Sequence, residues 1–226
     1  MPAPIAVRSK RKDDLTRTER KDLTRNNLLQ AALTLIGEGR SFTSLGIREI
    51  AREAGVVPNA FYRHFRSTDE LGLALVEEVG ITLRRLLREA RQPNARQSDV
   101  VRQSVQIYHQ YVLHNRLQFL FISSERAGGS RTLRMAIRNH VSHFTVEMAQ
   151  DIRRLGLFPD MSTTSLQLVC GLIATSMLAA APEILDLPTD HPLLEAEMTN
   201  SFVQQLHIIL LGASGWKDRP ATGTAS

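Results

Sequence analysis

Within seven residues, Pro58 to His64, the chain sets out an amide at Asn59, a methyl at Ala60, a phenol at Tyr62, a guanidinium at Arg63 and an imidazole at His64. That set suits nucleic acid. An Asn amide bonds an adenine edge through two hydrogen bonds, and an Ala methyl or a Pro ring packs on a thymine methyl. Tyr62 and His64 suit phosphate oxygens, which fix register while base contacts choose the sequence. Acid–base catalysis by Tyr62 and His64 would need a cleft-forming partner, and their segment is basic instead. The sequence carries no HExxH, no GxSxG and no Gly-rich nucleotide fingerprint, so we read a protein that is not an enzyme.

Such a set must be held on something rigid. Phe61 and Phe65, four residues apart, anchor one face of a helix predicted over Pro58 to Phe65 and leave the polar side chains on the other. Pro58 suits the first helical position, where a missing N–H costs nothing. Before it, Gly46 is the expected N-cap of a short helix, with Glu49 reaching back to the free backbone N–H groups and Ile47, Ile50 and Ala51 facing inward. Ala54 and Gly55 stop that helix, since Gly takes a left-handed conformation without steric cost. The result is helix, tight turn, helix within twenty residues, the spacing of a helix-turn-helix whose second helix enters the major groove. After it, Ser67, Thr68, Asp69 and Glu70 form a capping box whose helix end could also hold a phosphate.

Charge agrees with this placement. Of the 226 residues, the first 66 hold 13 Lys/Arg against 7 Asp/Glu, leaving 15 against 16 for the rest, so the whole net charge of +5 belongs to the first third. A basic module joined to a larger neutral one is expected to meet a polyanion and to leave another task to the remainder. Arg8, Lys10, Arg11, Lys12, Arg17, Arg20, Lys21 and Arg25 make a basic arm that could follow phosphates or enter a minor groove. The single cysteine, Cys170, fits a reducing, cytoplasmic setting. The apolar stretch Leu168 to Ala181 is too short and too interrupted for a bilayer span, and no membrane partner is expected.

The remaining architecture reads as all-α. Pro58, Pro93, Pro159, Pro182, Pro188 and Pro192 bound Pro-free intervals in which apolar residues recur every three or four positions, as in Leu133, Ile137, Val141, Phe144, Met148, Ile152 and Leu155. Similar stripes run through Leu71 to Leu86, Val101 to Val112, Leu166 to Ala180 and Leu194 to Ile209. About nine helices and no sheet are predicted. The predicted divisions are a flexible basic arm over 1–20, a helix-turn-helix domain over 21–66, a ligand-binding and dimerisation domain over 67–215 and a flexible tail over 216–226.

Residues 41–80, SFTSLGIREIAREAGVVPNAFYRHFRSTDELGLALVEEVG, resemble the TetR-type transcriptional repressors, whose DNA-binding unit ends in an aromatic F/L-Y-x-H-F motif, here Phe61 to Phe65. The REIAREAG and FYRHFR phrasing is similar to the fatty-acid-responsive, FabR/DesT-like branch. The resemblance implies a homodimer on a palindromic double-stranded operator, with helices one to three on DNA and about six more forming the ligand and dimer domain. Its last two long helices would pair with their mates in a four-helix bundle. The expected DNA-facing set is Arg25, Thr43, Arg48, Val57, Pro58, Asn59, Ala60, Tyr62, Arg63, His64, Ser67 and Thr68.

The resemblance also implies a long-chain acyl-CoA effector and no cofactor. An acyl chain needs apolar walls, for which the middle helices offer Leu83, Leu87, Tyr108, Phe119, Phe121, Ile122, Phe144, Met148 and Ile173, although ordinary core packing needs the same residues. Arg126, Arg131 and Arg134 flank the Gly128–Gly129–Ser130 turn and could meet a coenzyme A head group. Two alternatives stay open: a repressor of the same fold induced by a drug or other small hydrophobic ligand, and a sequence-indifferent DNA-binding or scaffolding protein without effector. His140 and His143, with His109 or His114, do not make a metal-ligand pattern.

Overall fold

The computed structural model describes residues 16–90, 97–188 and 190–218. Among them are nine α-helices and no strand: α1 (Arg17–Gly37), α2 (Ile47–Glu53), α3 (Pro58–Phe61), α4 (Thr68–Ala90), α5 (Gln97–His114), α6 (Arg116–Glu125), α7 (Arg131–Arg154), α8 (Thr163–Leu185) and α9 (Pro192–Ser214). The all-α class follows from the period of the apolar positions, which is that of a helix throughout. The chain forms two compact units, Met1–Leu71 and Gly72–Ser226.

In the first unit, α1 packs on α2 and α2 on α3. Leu28, Ala32, Leu35 and Ile36 of α1 are buried with Phe42, Leu45, Ile50, Ala51, Phe61 and Phe65. Helix α1 begins earlier than the flexible arm allowed. Thr16 Oγ1 accepts from the Glu19 N–H at 3.2 Å and the Glu19 carboxylate accepts from the Thr16 N–H at 2.7 Å, a full capping box that makes residues 16–20 ordered. Arg8, Lys10, Arg11 and Lys12 lie outside the described residues.

In the second unit, α8 is the central element and packs against α5, α6, α7 and α9. It is long and apolar enough to cross a membrane, more so than the stretch seen in sequence, yet its buried residues, from Leu166 to Leu185, face the neighbouring helices. Pro182 does not bound this helix: α8 runs through it to Leu185, because a proline so near the end removes only one late hydrogen bond. In α9 the expected apolar stripe holds at Leu206, which is buried, and at Met198, Phe202 and Ile209, which are half-buried, while Leu194 is exposed. Asp218, assigned in sequence to a flexible tail, closes the α8–α9 pair. Its carboxylate accepts from the Ser162 N–H at 2.6 Å, from Ser162 Oγ at 3.1 Å and from Ser165 Oγ. Those bonds hold the Asp218 carboxyl below the usual carboxylate range.

Candidate DNA interface and ligand cavities

The reading segment is built from its two phenylalanines outward. Phe61 and Phe65 are buried, with ring centroids 5.7 Å apart, and Arg25 of α1 lies over the Phe65 ring. On the opposite side, Val57 is 68% and Tyr62 58% exposed, and Pro58, Asn59 and Arg63 are exposed as well. Ala60 and His64 are half-buried. A buried aromatic pair thus fixes a short, outward polar surface.

The two turns around it hold its angle. Gly55, at φ +66°, reverses the chain after α2, with the Val56 N–H on the Ala51 carbonyl at 2.9 Å and the Gly55 N–H on the Arg52 carbonyl at 3.0 Å. The helix predicted over Pro58 to Phe65 is shorter than expected. Regular α-helix ends at Phe61, and the His64 N–H on the Phe61 carbonyl (2.9 Å) and the Arg63 N–H on the Ala60 carbonyl (3.2 Å) tighten the chain so that it can turn into α4.

Two cap expectations and one burial expectation change. Gly46 is the N-cap of α2, but Glu49 does not reach back to it and instead binds Arg40 at 2.5 Å, a guanidinium offering more to a carboxylate than a backbone N–H. Ile47, expected to face inward, is only half-buried. At the start of α4, Ser67 Oγ accepts from the Glu70 N–H at 3.2 Å and the Glu70 carboxylate accepts from the Arg66 N–H at 2.6 Å. The Glu70 carboxylate thus lies at this helix end beside exposed Ser67 and half-buried Thr68.

The electrostatics favour a polyanion. Partial burial lowers the His64 pKa, and the charges of Lys21, Arg25 and Arg63 lower it further, so three cations from α1 and the reading segment share one neighbourhood. Lys21 was seen in sequence only as part of the arm; the helical spacing of Lys21 and Arg25, four apart on a helix opened by Thr16, was the available signal. Arg48 and Thr43 are exposed, the Thr43 hydroxyl lying 3.0 Å from that of Ser41.

The second unit contains two adjoining apolar cavities. The first, about 80 Å³, is walled by Leu83 and Leu87 of α4, Tyr108 of α5, Phe119 and Ile122 of α6 and Phe144 of α7. The second, about 240 Å³, is walled by Leu87, Phe144, Met148, Ile173, Phe158 and Leu206, among others. Leu87, Phe144 and Met177 belong to both walls and form the partition. Eight of the nine apolar residues expected around a ligand therefore line a cavity. Phe121 does not; it is fully buried in packing. Arg126, Arg131 and Arg134, expected to meet a head group, line neither cavity, and Arg134 donates to the Gly128 carbonyl and braces the turn it flanks.

A polar clasp crosses the first cavity between α4 and α7. Arg84 Nη1 lies 2.8 Å from His140 Nδ1 and His140 Nε2 lies 3.0 Å from Glu77 Oε2. Arg84 can only donate, so Nδ1 accepts and Nε2–H faces the carboxylate. Gly80 makes the approach possible, since a Cβ there would stand 2.3 Å from His140 Nδ1. Burial, helped by Arg84 and opposed by Glu77, holds the His140 pKa below its ordinary value. Among the described residues, no cluster of three His, Cys, Asp or Glu is placed to hold a metal.

The first unit is a tight helix-turn-helix with an exposed, cation-flanked reading segment suited to a polyanion, and the second is a helical unit that holds apolar cavities. Residues 28–75 match the family described as bacterial regulatory proteins, tetR family. Its fold is similar to that of the fatty acid degradation regulator FadR from Bacillus halodurans, at 16% identity and TM-score 0.63, over 87% of this chain and 97% of that one. A transcriptional regulator from Rhodococcus sp. Rha1 is similar at 17% identity and TM-score 0.62, over 87% and 99% of the two chains. The SmeT–triclosan complex is similar at 17% identity and TM-score 0.60, over 84% and 90%.

Proposed function

We propose that the protein is a cytoplasmic homodimeric repressor that senses long-chain acyl-CoA and controls genes of unsaturated fatty acid synthesis or desaturation. The observation that carries the effector reading is the pair of apolar cavities separated only by Leu87, Phe144 and Met177. Each is smaller than a usual ligand site of about 300–1,000 Å³, and a flexible chain that displaces the partition would join them. The likeness to a regulator of fatty acid degradation supports the same reading.

Repression follows from geometry. Two reading segments enter successive major grooves only when their separation matches the helical repeat of about 34–36 Å or a multiple of it. Helix α4 bears the cavity residues Leu83 and Leu87 and begins three residues after Phe65, so a ligand that shifts α4 shifts that separation. The ligand can do so only by its difference in affinity for the two states. A straight saturated chain and a kinked unsaturated one fill the cavities differently and favour opposite states. Exposed Leu168 and Leu172 on α8 and Ile208 and Leu211 on α9 supply the apolar surface for the dimer.

Thermal shift with oleoyl-CoA, palmitoyl-CoA and a panel of cationic dyes tests this: stabilisation by the thioesters supports it, and no response to either removes it. The modest cavity volumes and the likeness to the SmeT–triclosan complex favour a second reading, a repressor induced by a small hydrophobic drug, which a response to the dyes alone would select. A protein without sequence preference would fail to favour a promoter fragment over bulk DNA by about 10³ or more.

A further inference from the structure

Tyr108 is 3% exposed and its hydroxyl has no hydrogen-bond partner. Buried polar atoms are paired in roughly 90% of cases or more, so an unpaired one asks for a ligand or a water. The ring lies edge-on against Phe119, with centroids 5.9 Å apart at 88°, which fixes the position of the phenol oxygen. It lines the first cavity and also a narrow apolar cleft beside Met198 and Phe202. The other polar side chains of the first cavity, Arg84 and His140, are engaged with each other and with Glu77. Met177 belongs to the walls of both cavities and of the cleft, so a chain that starts at Tyr108 and passes Met177 enters the larger, apolar cavity.

We propose that the Tyr108 hydroxyl is the hydrogen-bond donor that holds the acyl carbonyl oxygen of the effector, whether in a thioester or in a free carboxylic acid, with the hydrocarbon tail running past Met177 into the larger cavity. This rests on the reading of the protein as an acyl-chain sensor. Burial pushes the phenol's ionisation up, with the charge of Arg126 opposing, so the group stays an O–H donor at physiological pH. A carbonyl oxygen, which only accepts, is its chemical complement.

Calorimetric titration of the full chain with palmitoyl-CoA, with S-hexadecyl-CoA and with palmitate tests it. The thioether keeps the head group and the hydrocarbon chain and lacks the carbonyl. The wild type is expected to prefer palmitoyl-CoA over the thioether by about tenfold, and Tyr108→Phe to bind both with the thioether's affinity. A loss in Tyr108→Phe confined to palmitoyl-CoA makes the thioester the ligand, and one confined to palmitate makes it the free acid. A preference that survives in Tyr108→Phe, an equal loss for both CoA ligands, or no preference in the wild type together with palmitate binding that Tyr108→Phe leaves unchanged overturns the proposal while leaving the acyl reading in place. A wild type that binds none of the three overturns the acyl reading itself.

Discussion

Arg25 Cζ stands 5.4 Å from the centre of the Phe65 ring, so the first helix grips the far end of the reading segment. The contact combines a cation–π attraction of roughly 0.5–1 kcal/mol with the Phe61–Phe65 pair, itself about 0.5–1.5 kcal/mol. Phe65→Leu keeps an apolar plug and loses both. Denaturant unfolding should show a loss of about 1–2.5 kcal/mol from those terms, and gel shift should show weakened operator binding at temperatures where the variant is still folded. Unchanged operator affinity would mean that the ring does not set the angle of the segment.

Asn59 and Arg63 are both exposed but are expected to fail differently. Asn59→Ala should cost about 1–3 kcal/mol in operator affinity, leave binding to bulk DNA intact and keep the salt slope. Arg63→Ala should weaken binding to all DNA and reduce the slope of log K against log salt by about 0.9. Surface positions of this kind should leave stability within about 0.5 kcal/mol. Fluorescence anisotropy at several salt concentrations separates the two.

The His64 pKa is lowered in the free protein by partial burial and by Lys21, Arg25 and Arg63. Phosphates brought near it offset those cations and raise the pKa, so complex formation takes up a proton. Operator affinity should therefore rise as pH falls from about 8 toward 6, and His64→Gln should flatten that dependence. A slope equal in both proteins would remove His64 from the interface.

Gly80→Ala gains about 0.8–1 kcal/mol of helix propensity in principle, yet its Cβ would collide with His140 Nδ1. The variant should melt below the wild type because the Arg84–His140–Glu77 clasp must open. The sign with pH follows from the lowered His140 pKa, set by burial with Arg84 assisting, Glu77 opposing and His143 adding a further lowering. Stability held by neutral His140 is full above the unfolded value of about 6.5 and erodes as pH falls below it. His140→Gln should lose that acid-side erosion in a series of melting curves.

Leu172→Glu combined with Ile208→Glu places charge on the exposed apolar surface of α8 and α9. Sedimentation should give a folded monomer with little operator affinity, since a single reading segment lacks the second half-site. A dimer that survives both changes would place the subunit contact elsewhere.

Much of the first unit could be read from residues alone because its signals are local. Gly55 and Pro58 carry backbone constraints that admit few conformations, and Phe61 and Phe65 differ by one helical turn. The end of α3 at Phe61 could not be read in this way, because it depends on how the chain turns into Ser67. Glu49 illustrates the same limit: its cap position was visible, but Arg40, nine residues away, competes for it only once α1 has ended. In the second unit the apolar stripes announced helices without telling core from cavity wall. Phe121 and Phe119 are two apart, and only the packing of α6 decides which of them faces open space. The Glu77–His140–Arg84 clasp joins positions some sixty residues apart, beyond any local pattern.

The bonds from Asp218 to Ser162 and Ser165 join the chain beyond the last helix to the opening turn of α8. With the short link from Leu185 to Pro192 at the opposite end, the pair is joined at both extremities. A chain end fastened in this way frays less than a free one, and a truncation that removed Asp218 would loosen the junction at that extremity.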